Sequence, residues 1–249
     1  MEQHKLALVT GGGQNLGAEI CRTLAAKGFD IAIIVREDLE RARKVAEELK
    51  QCGVSATAHV ADVADPQAAR RCVREVLDRF GTVDVLVNAA AIRPRASLAD
   101  TTDEAWARVM AVNLSGPFYM SQAVAPTMTE RGDGVIINIS GLVALQGGGG
   151  GAVPIAASKA GLIGLTRALA DELGPKGIRA NVVIPARMET VRASEPPGPK
   201  VADEIQHTSL RRIATTDDVA SVVAFLAGDE ARFITGQSIH VNGGFYKGG

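Results

Sequence analysis

Short, continuous apolar runs rich in β-branched residues alternate along this chain with longer segments whose apolar residues recur at helical spacing. The runs fall at residues 5–9, Asp30–Val35, Ala56–Val60, 83–87, 135–139, 179–184 and Ser238–Val241. The runs at 5–9 and 179–184 are largely continuous and predict buried strands, whereas 56–60 and 238–241 alternate with polar residues and predict shorter strands. Between them, Leu16, Ile20 and Leu24 share a helical face, as do Leu39, Ala42, Ala46 and Leu49. Asp65-Pro66 is a cap and first-turn pair for a helix that ends at Phe80-Gly81. Thr101-x-x-Glu104 and Thr215-x-x-Asp218 read as capping boxes, the first opening a long helix with Trp106, Met110 and Asn113, the second opening 219–227. A further helix begins at Ser158-Lys159 and continues over 162–173, and Gly53 and Gly177 are stop signals. Strand and helix in strict alternation predict an α/β fold, a doubly wound parallel sheet of Rossmann type in three layers.

Composition narrows the reading without changing it. With 249 residues, 46% hydrophobic, and 27 glycines, residues 1–249 suit a single domain with a sizeable core. Basic and acidic residues number 27 and 28, a balance that argues against nucleic acid and membrane surfaces as partners. The three cysteines, Cys21, Cys52 and Cys72, lack C-x-x-C spacing, so no metal or disulfide role is expected. The amino terminus enters a strand at once and no transmembrane run follows, which makes a cytoplasmic location the expectation.

Candidate chemistry gathers where strands end. Thr10-Gly11-Gly12-Gly13-Gln14-Asn15-Leu16-Gly17 turns the first strand into a helix, and glycines there let backbone approach a pyrophosphate at the helix amino terminus. Asn15 lies within this turn, and asparagine is the non-glycine side chain most tolerant of a left-handed backbone. At the end of the second strand Val35 is followed by Arg36; an acid there would bind a ribose 2′-hydroxyl, whereas arginine accommodates a 2′-phosphate. NADP(H) is therefore expected over NAD(H), although Glu37 and Asp38 oppose it. Arg93-Pro94-Arg95 offers two guanidiniums to a substrate carboxylate or phosphate, with two solvated arginines as the bland alternative. The stretch 138–164 sets Ser140 at a strand end, then five glycines, then Lys159 on the next helix. The proline-rich segment 192–199 cannot make regular structure and suggests a substrate lid at about 187–212.

The turn at 10–17, Asn88-Ala89-Ala90-Ala91, Asn113-Leu114, Ser140, Lys159 and Pro185-Ala186-Arg187-Met188-Glu189-Thr190 stand in an order that resembles the short-chain dehydrogenase/reductase family, and 3-oxoacyl-carrier-protein reductases within it. The likeness runs from residue 5 to 245. It implies an oxidoreductase acting on a small carbonyl or alcohol, with Gly11, Gln14, Asn15, Leu16 and Gly17 around the pyrophosphate. By the same resemblance Asp62 meets the adenine amino group, Val63 lines its ring, and Asn88 and Ala89 lie beneath the cofactor. Pro185 and Thr190 reach its carboxamide and phosphates, Asn113 holds a water in a proton relay, Ser140 steadies the substrate oxygen, and Lys159 serves the nicotinamide ribose. The carboxyl-terminal block implies a homo-oligomer, a dimer or tetramer. One departure stands out: the tyrosine of the family's Tyr-x-x-x-Lys is Ile155, whose alkyl chain neither donates nor accepts a proton. Tyr119 is a poor substitute, because that part of its helix normally packs on another subunit. The loss leaves three functions open: a reductase with a non-standard site, a silent nucleotide-binding subunit or sensor, or a non-redox lyase or isomerase using Ser140 and Lys159.

Overall fold

The structure, a computed structural model, describes residues 4–188 and 199–248. Seven strands form one sheet in the order β3-β2-β1-β4-β5-β6-β7: β1 (Leu6–Thr10), β2 (Asp30–Val35), β3 (Ala56–Val60), β4 (Val85–Asn88), β5 (Gly134–Ile139), β6 (Ile178–Pro185) and β7 (Ser238–Val241). Every neighbouring pair is parallel. The order reverses between β1 and β4, so the loops after these two strands part and leave a crevice at the carboxyl edge.

Helices cover both faces. On one lie α1 (Asn15–Ala26), α2 (Leu39–Lys50) and α9 (Thr216–Ala227), packed on Ala7, Val9, Ile31, Ile33 and Ile137. On the other lie α3 (Pro66–Phe80), α5 (Gly116–Arg131) and α7 (Val153–Leu173), packed on Leu6, Leu8, Ala32, Ile34 and Ile136. Neighbouring residues of one central strand thus enter opposite cores, which is why β1 and β2 are largely apolar, while the edge strands β3 and β7 carry Thr57, His59, Ser238 and His240 and are only partly buried. Fully burying such a side chain contributes roughly 1.5–3 kcal/mol, so the sheet centre dominates the stability of the domain. Among the described residues no helix is long and apolar enough to cross a membrane.

Caps and turns follow the sequence with instructive exceptions. Thr215 and Asp218 form the reciprocal capping box, and Asp65 accepts from the Gln67 amide at the start of α3. The box expected at Thr101 and Glu104 is displaced: Thr102 caps α4 (Asp103–Met110) by accepting from Ala105 N, while the Thr101 hydroxyl donates to the Ser97 carbonyl. The long helix predicted to hold Asn113 is α4 and α5 joined by a π-helical turn, Ala111–Ser115. α7 begins at Val153, before the expected Ser158, because Pro154 suits a first helical turn. A short α6 (Val143–Gln146) precedes glycines 147–151, whose φ values of 73, 67, 48, 52 and 79° make a left-handed stretch. Each would cost another residue roughly 1–2 kcal/mol. Of the predicted lid, residues 199–207 form α8 (Pro199–His207), while 189–198 lie outside the described residues.

The tightest approach in the fold is α1 against the turn that precedes it. A Cβ on Gly17 would stand 2.1 Å from the Gly11 carbonyl oxygen, and neither backbone can retreat. Gly17→Ala is therefore expected to destabilise the protein by about 1–3 kcal/mol and to abolish nucleotide binding, whereas Asn15→Gly, at φ 48°, leaves both intact. Denaturant midpoints check this, and a Gly17→Ala midpoint equal to wild type would contradict the packing described.

Candidate nucleotide-binding and active site

The turn after β1 has the shape that a pyrophosphate requires. Gly11 adopts φ 73° and donates its N–H to the Ile34 carbonyl at 2.7 Å. Asn15 takes φ 48°, the left-handed conformation expected of it, and opens α1 directly. Gln14 is extended and makes no side-chain cap to α1, so this helix end has amides to offer an anion. The Gln14 carboxamide instead accepts from Arg41 of α2, which also pairs with Asp38 at 3.2 Å. Leu16 faces inward and anchors α1 in the core. The residues present therefore fit a dinucleotide: a backbone cradle too close for any Cβ at Gly17, capped by a helix amino terminus.

The neighbouring strand ends are held mostly by their own contacts. Arg36, just beyond β2, pairs with Glu37 at 2.7 Å, both side chains being exposed. Asp62 follows β3 and accepts from the Ala64 amide at 3.0 Å and from Arg108 at 2.8 Å. Burial works against its charge, but the Ala64 amide and the Arg108 guanidinium together keep its carboxyl below the usual range. Val63 is buried with its methyl groups against Gly116, where a Cβ would lie 2.9 Å away.

β1 and β4 are tied across the crevice by Thr10, whose hydroxyl accepts from Ala89 N and Ala90 N, each at 3.1 Å. Gly11 lies so close to Ala90 that a Cβ would meet its Cα at 2.9 Å. A buried chain of amides runs on: Asn88 Nδ2 donates to Asn138 Oδ1 at 2.9 Å, and Asn138 Nδ2 donates to Thr166 Oγ1 of α7 at 2.9 Å. Asn88 Oδ1 is buried with no protein partner at the edge of the crevice, a vacancy in bonding capacity of the kind that marks functional positions.

On the α7 side of the crevice stand the residues expected to do chemistry. Asn113 is fully buried in the π-turn, and its amide accepts from Ile92 N at 2.9 Å and donates to Ile92 O at 3.0 Å and Ser158 Oγ at 3.2 Å. Its side chain is thus a clasp between the loop after β4, the π-turn and α7. Lys159 is also buried, and Nζ donates to the Ile139 carbonyl at 2.6 Å, where β5 ends. Burial, with the charge of Arg93 adding to it, pushes its ammonium down from the ordinary 10.5 to about 7. Ile155 lies one turn earlier on the same helix, packed with Val109, Ala152, Ile92 and Val143 and only 3% exposed.

Ser140 is turned elsewhere. Its hydroxyl donates to the Lys159 main-chain carbonyl at 2.8 Å, so it secures α7 to β5 and does not face an incoming substrate. Strand alternation explains this, for Ile136 and Asn138 already face α7 and Ser140 continues that series. Gly141 is the next residue, and a Cβ on it would find its nearest neighbour, Val143 Cγ1, at 3.9 Å. Position 141, not 140, is where a side chain would enter open space.

Of the two arginines expected to form a clamp, Arg95 is already engaged by main-chain carbonyls. Arg95 donates to the carbonyls of Gly149 and Gly150, both at 3.0 Å, and so latches the glycine-rich loop to the segment after β4. Arg93 is exposed and acts on Lys159 through its charge. Pro185 ends β6 and accepts from the Leu142 amide at 2.9 Å, which places it beside the same crevice. Thr190 lies outside the described residues. His207, on α8, is exposed and engages the Asp203 carbonyl one turn earlier at 2.8 Å. Sequence alone gives Thr10 only as the start of the turn and Ser158 only as the start of a helix, and it does not point to Arg108. The signal at Thr10 is its place immediately before the first glycine of the turn.

Comparison with known proteins agrees with this geometry. The family described as enoyl-(acyl carrier protein) reductase matches residues 11–246. The chain is 38% identical over 243 residues to 3-oxoacyl-[acyl-carrier-protein] reductase FabG of Staphylococcus epidermidis, covering 98% of this chain and 99% of the relative. It is 36% identical to the protein of that name from Escherichia coli, with 97% of each covered. Among solved structures, a blue fluorescent protein from a metagenomic library in complex with NADPH superposes with a TM-score of 0.91 at 40% identity, covering 98% of each chain. A short chain dehydrogenase of Burkholderia cenocepacia in complex with NADP gives 0.90 at 38% identity, covering 98% of this chain and 99% of that one. Cradle, switch point and buried lysine, read with these likenesses, place the chain in the short-chain dehydrogenase/reductase family of oxidoreductase enzymes, among those that resemble 3-oxoacyl-acyl-carrier-protein reductases.

Proposed function

We propose that the protein is an NADP(H)-dependent carbonyl reductase or alcohol dehydrogenase whose active site works without a phenol. The observation that carries this reading is Lys159, an ammonium buried against the Ile139 carbonyl beside an intact nucleotide cradle. Burying a cation costs several kcal/mol even after relaxation, and methionine would fill the same space without that cost. A chain that had ceased to use the crevice would have no physical reason to keep it. When bound, the nicotinamide supplies or accepts the hydride. The protein's own part is to hold the ribose with Lys159, to keep the α7 side dry with Ile155, and to fix the loop after β4 through Asn113.

Arg36 supports NADP(H), because Val35 offers no carboxylate to a 2′-hydroxyl and both related complexes named above hold the phosphorylated cofactor. Arg93, exposed and acting on Lys159, favours a substrate with an anionic group near its carbonyl. Exposed Trp106, Phe118, Phe225 and Phe233 suit burial between copies in a homo-oligomer. The balanced charge suits a cytoplasmic protein without nucleic-acid partners.

A silent nucleotide-binding subunit or sensor is the second reading, favoured by one observation: Ile155 and Ser140 both present nothing protic to the crevice. An assay of NADPH oxidation over a panel of ketones, run beside cofactor binding by fluorescence, separates the two. Turnover supports the reductase; tight binding with no turnover supports the sensor.

NADPH should bind more tightly than NADH, and Arg36→Ala should weaken NADPH selectively by about 1.5–3 kcal/mol, tenfold or more in affinity. Equal affinity of the wild-type protein for the two cofactors would contradict the assignment.

Ile155→Tyr should raise ketone reduction, because residues at i and i+4 share a helix face and the phenol would stand beside the Lys159 ammonium. The dry cluster around Ile155 makes the ring a tight fit, with an expected stability loss of about 1–3 kcal/mol. Adding Gly141→Ser places a hydroxyl in open space, and the double variant should exceed the single one, with a total gain of roughly 100-fold or more. A folded, NADPH-binding double variant with no gain on any ketone would show that the pocket has been rebuilt for other chemistry.

A further inference from the structure

Within the reductase reading, on which this inference rests, the site must deliver one proton for every hydride. We propose that Lys159 is itself the general acid, its ammonium protonating the substrate oxygen directly.

The hydrogen bonds of the crevice leave little else. Asn113 has both amide atoms committed to Ile92 and Ser158. The Ser158 hydroxyl donates to the Ile155 carbonyl at 2.9 Å, and that of Ser140 donates to the Lys159 carbonyl at 2.8 Å. Ile155 has no proton to give, and Arg93 retains its proton at any working pH. An ammonium carries three N–H groups, and the Ile139 carbonyl takes one of those on Lys159 at 2.6 Å. That bond fixes Nζ at the carboxyl edge of β5, on the carbonyl two residues before open Gly141, and leaves two N–H donors for the ribose and for a substrate oxygen. The apolar packing of Ile155 one turn away lowers the cost of neutralising the lysine, because an unpaired cation in such surroundings is disfavoured.

The step balances simply. Hydride from reduced nicotinamide bonds to the carbonyl carbon, the C=O π pair moves to oxygen, and that oxygen takes a proton from Nζ. Lysine is left as a neutral amine and recovers a proton from water after product leaves. In the reverse direction the neutral amine removes the alcohol proton as hydride departs.

The pH dependence has a definite sign. Donation needs the ammonium, so kcat/KM for ketone reduction is level at low pH and falls tenfold per unit above the lysine's ionisation, at about 7. Alcohol oxidation rises through the same point. The charged group acting on Lys159 is Arg93, from the loop after β4, and the hydrogen-bond partner of its Nζ is the Ile139 carbonyl at the end of β5. A guanidinium and a carbonyl do not titrate in that window.

The test uses the full-length wild-type protein with saturating NADPH. ¹⁵N-lysine NMR of that complex, with the Lys159 signal assigned by its loss in Lys159→Met, gives the ionisation without turnover. Rate profiles over a ketone panel give it from activity, and the two midpoints should coincide. Lys159→Arg keeps the charge and donors but cannot release a proton, so kcat should fall roughly 100- to 10,000-fold while NADPH affinity changes by only a few-fold. Wild-type turnover that stays flat across the NMR midpoint, or a Lys159→Arg variant with full kcat, would overturn the assignment and leave the reductase reading standing. If Lys159→Arg does not fold, the comparison of midpoints decides alone. No turnover by wild type, with NADPH tightly bound, would overturn the reductase reading and this assignment together.

Discussion

At the carboxyl edge of the sheet, two backbones lie against each other with no side chain between them. Gly17 touches the Gly11 carbonyl, Gly11 touches Ala90, and the Thr10 hydroxyl takes the amides of Ala89 and Ala90. These contacts bring α1, β1 and β4 together at the point where strand order reverses. A crevice can exist there because the chains on its two sides are tied below it, and helix amides can face it because Asn15 turns left-handed to start α1. Nucleotide binding is thus a property of main-chain packing, which explains how the cradle survives while the side chains around it differ from the family pattern.

The opposite wall follows another logic. Asn113, Ser140 and Ser158 all carry polar groups, yet each spends them on backbone or on one another, holding the π-turn, β5 and α7 in place. Lys159 is the exception, since an ammonium bound to a single carbonyl is under-satisfied. Desolvation brings it to about 7, where it can gain and lose a proton at ordinary pH. Ile155 does not simply leave a gap. With Val109, Ala152, Ile92 and Val143 it forms a dry cluster that shapes the electrostatics of its neighbour.

Most of the framework was legible in the sequence because strands covered on both faces must be apolar throughout, and helix caps need particular side chains. The sheet, the Thr215 capping box and the left-handed Asn15 follow from those requirements alone. What stayed hidden depends on direction and on partners far along the chain. Ser140 sits at the expected strand end, yet a period-two count from Ile136 turns it toward α7, and a shift of one residue makes the difference between a substrate contact and a helix tie. Arg95 reads as a free cation until the glycine-rich loop folds back and offers it two carbonyls. The cap at Thr102 in place of Thr101 reflects a competing bond to Ser97 that no local pattern reveals.

Under the proposed function, hydride still moves in a crevice that has lost its phenol. The most direct measurement mixes the protein with NADPH deuterated at the transferred position of C4 and an activated ketone, then examines the product by mass spectrometry. Deuterium on the carbinol carbon, one per alcohol formed and absent from a control without protein, is the predicted result. Labelled NADPH that stays bound and intact, with no alcohol from any ketone tried, would contradict the account.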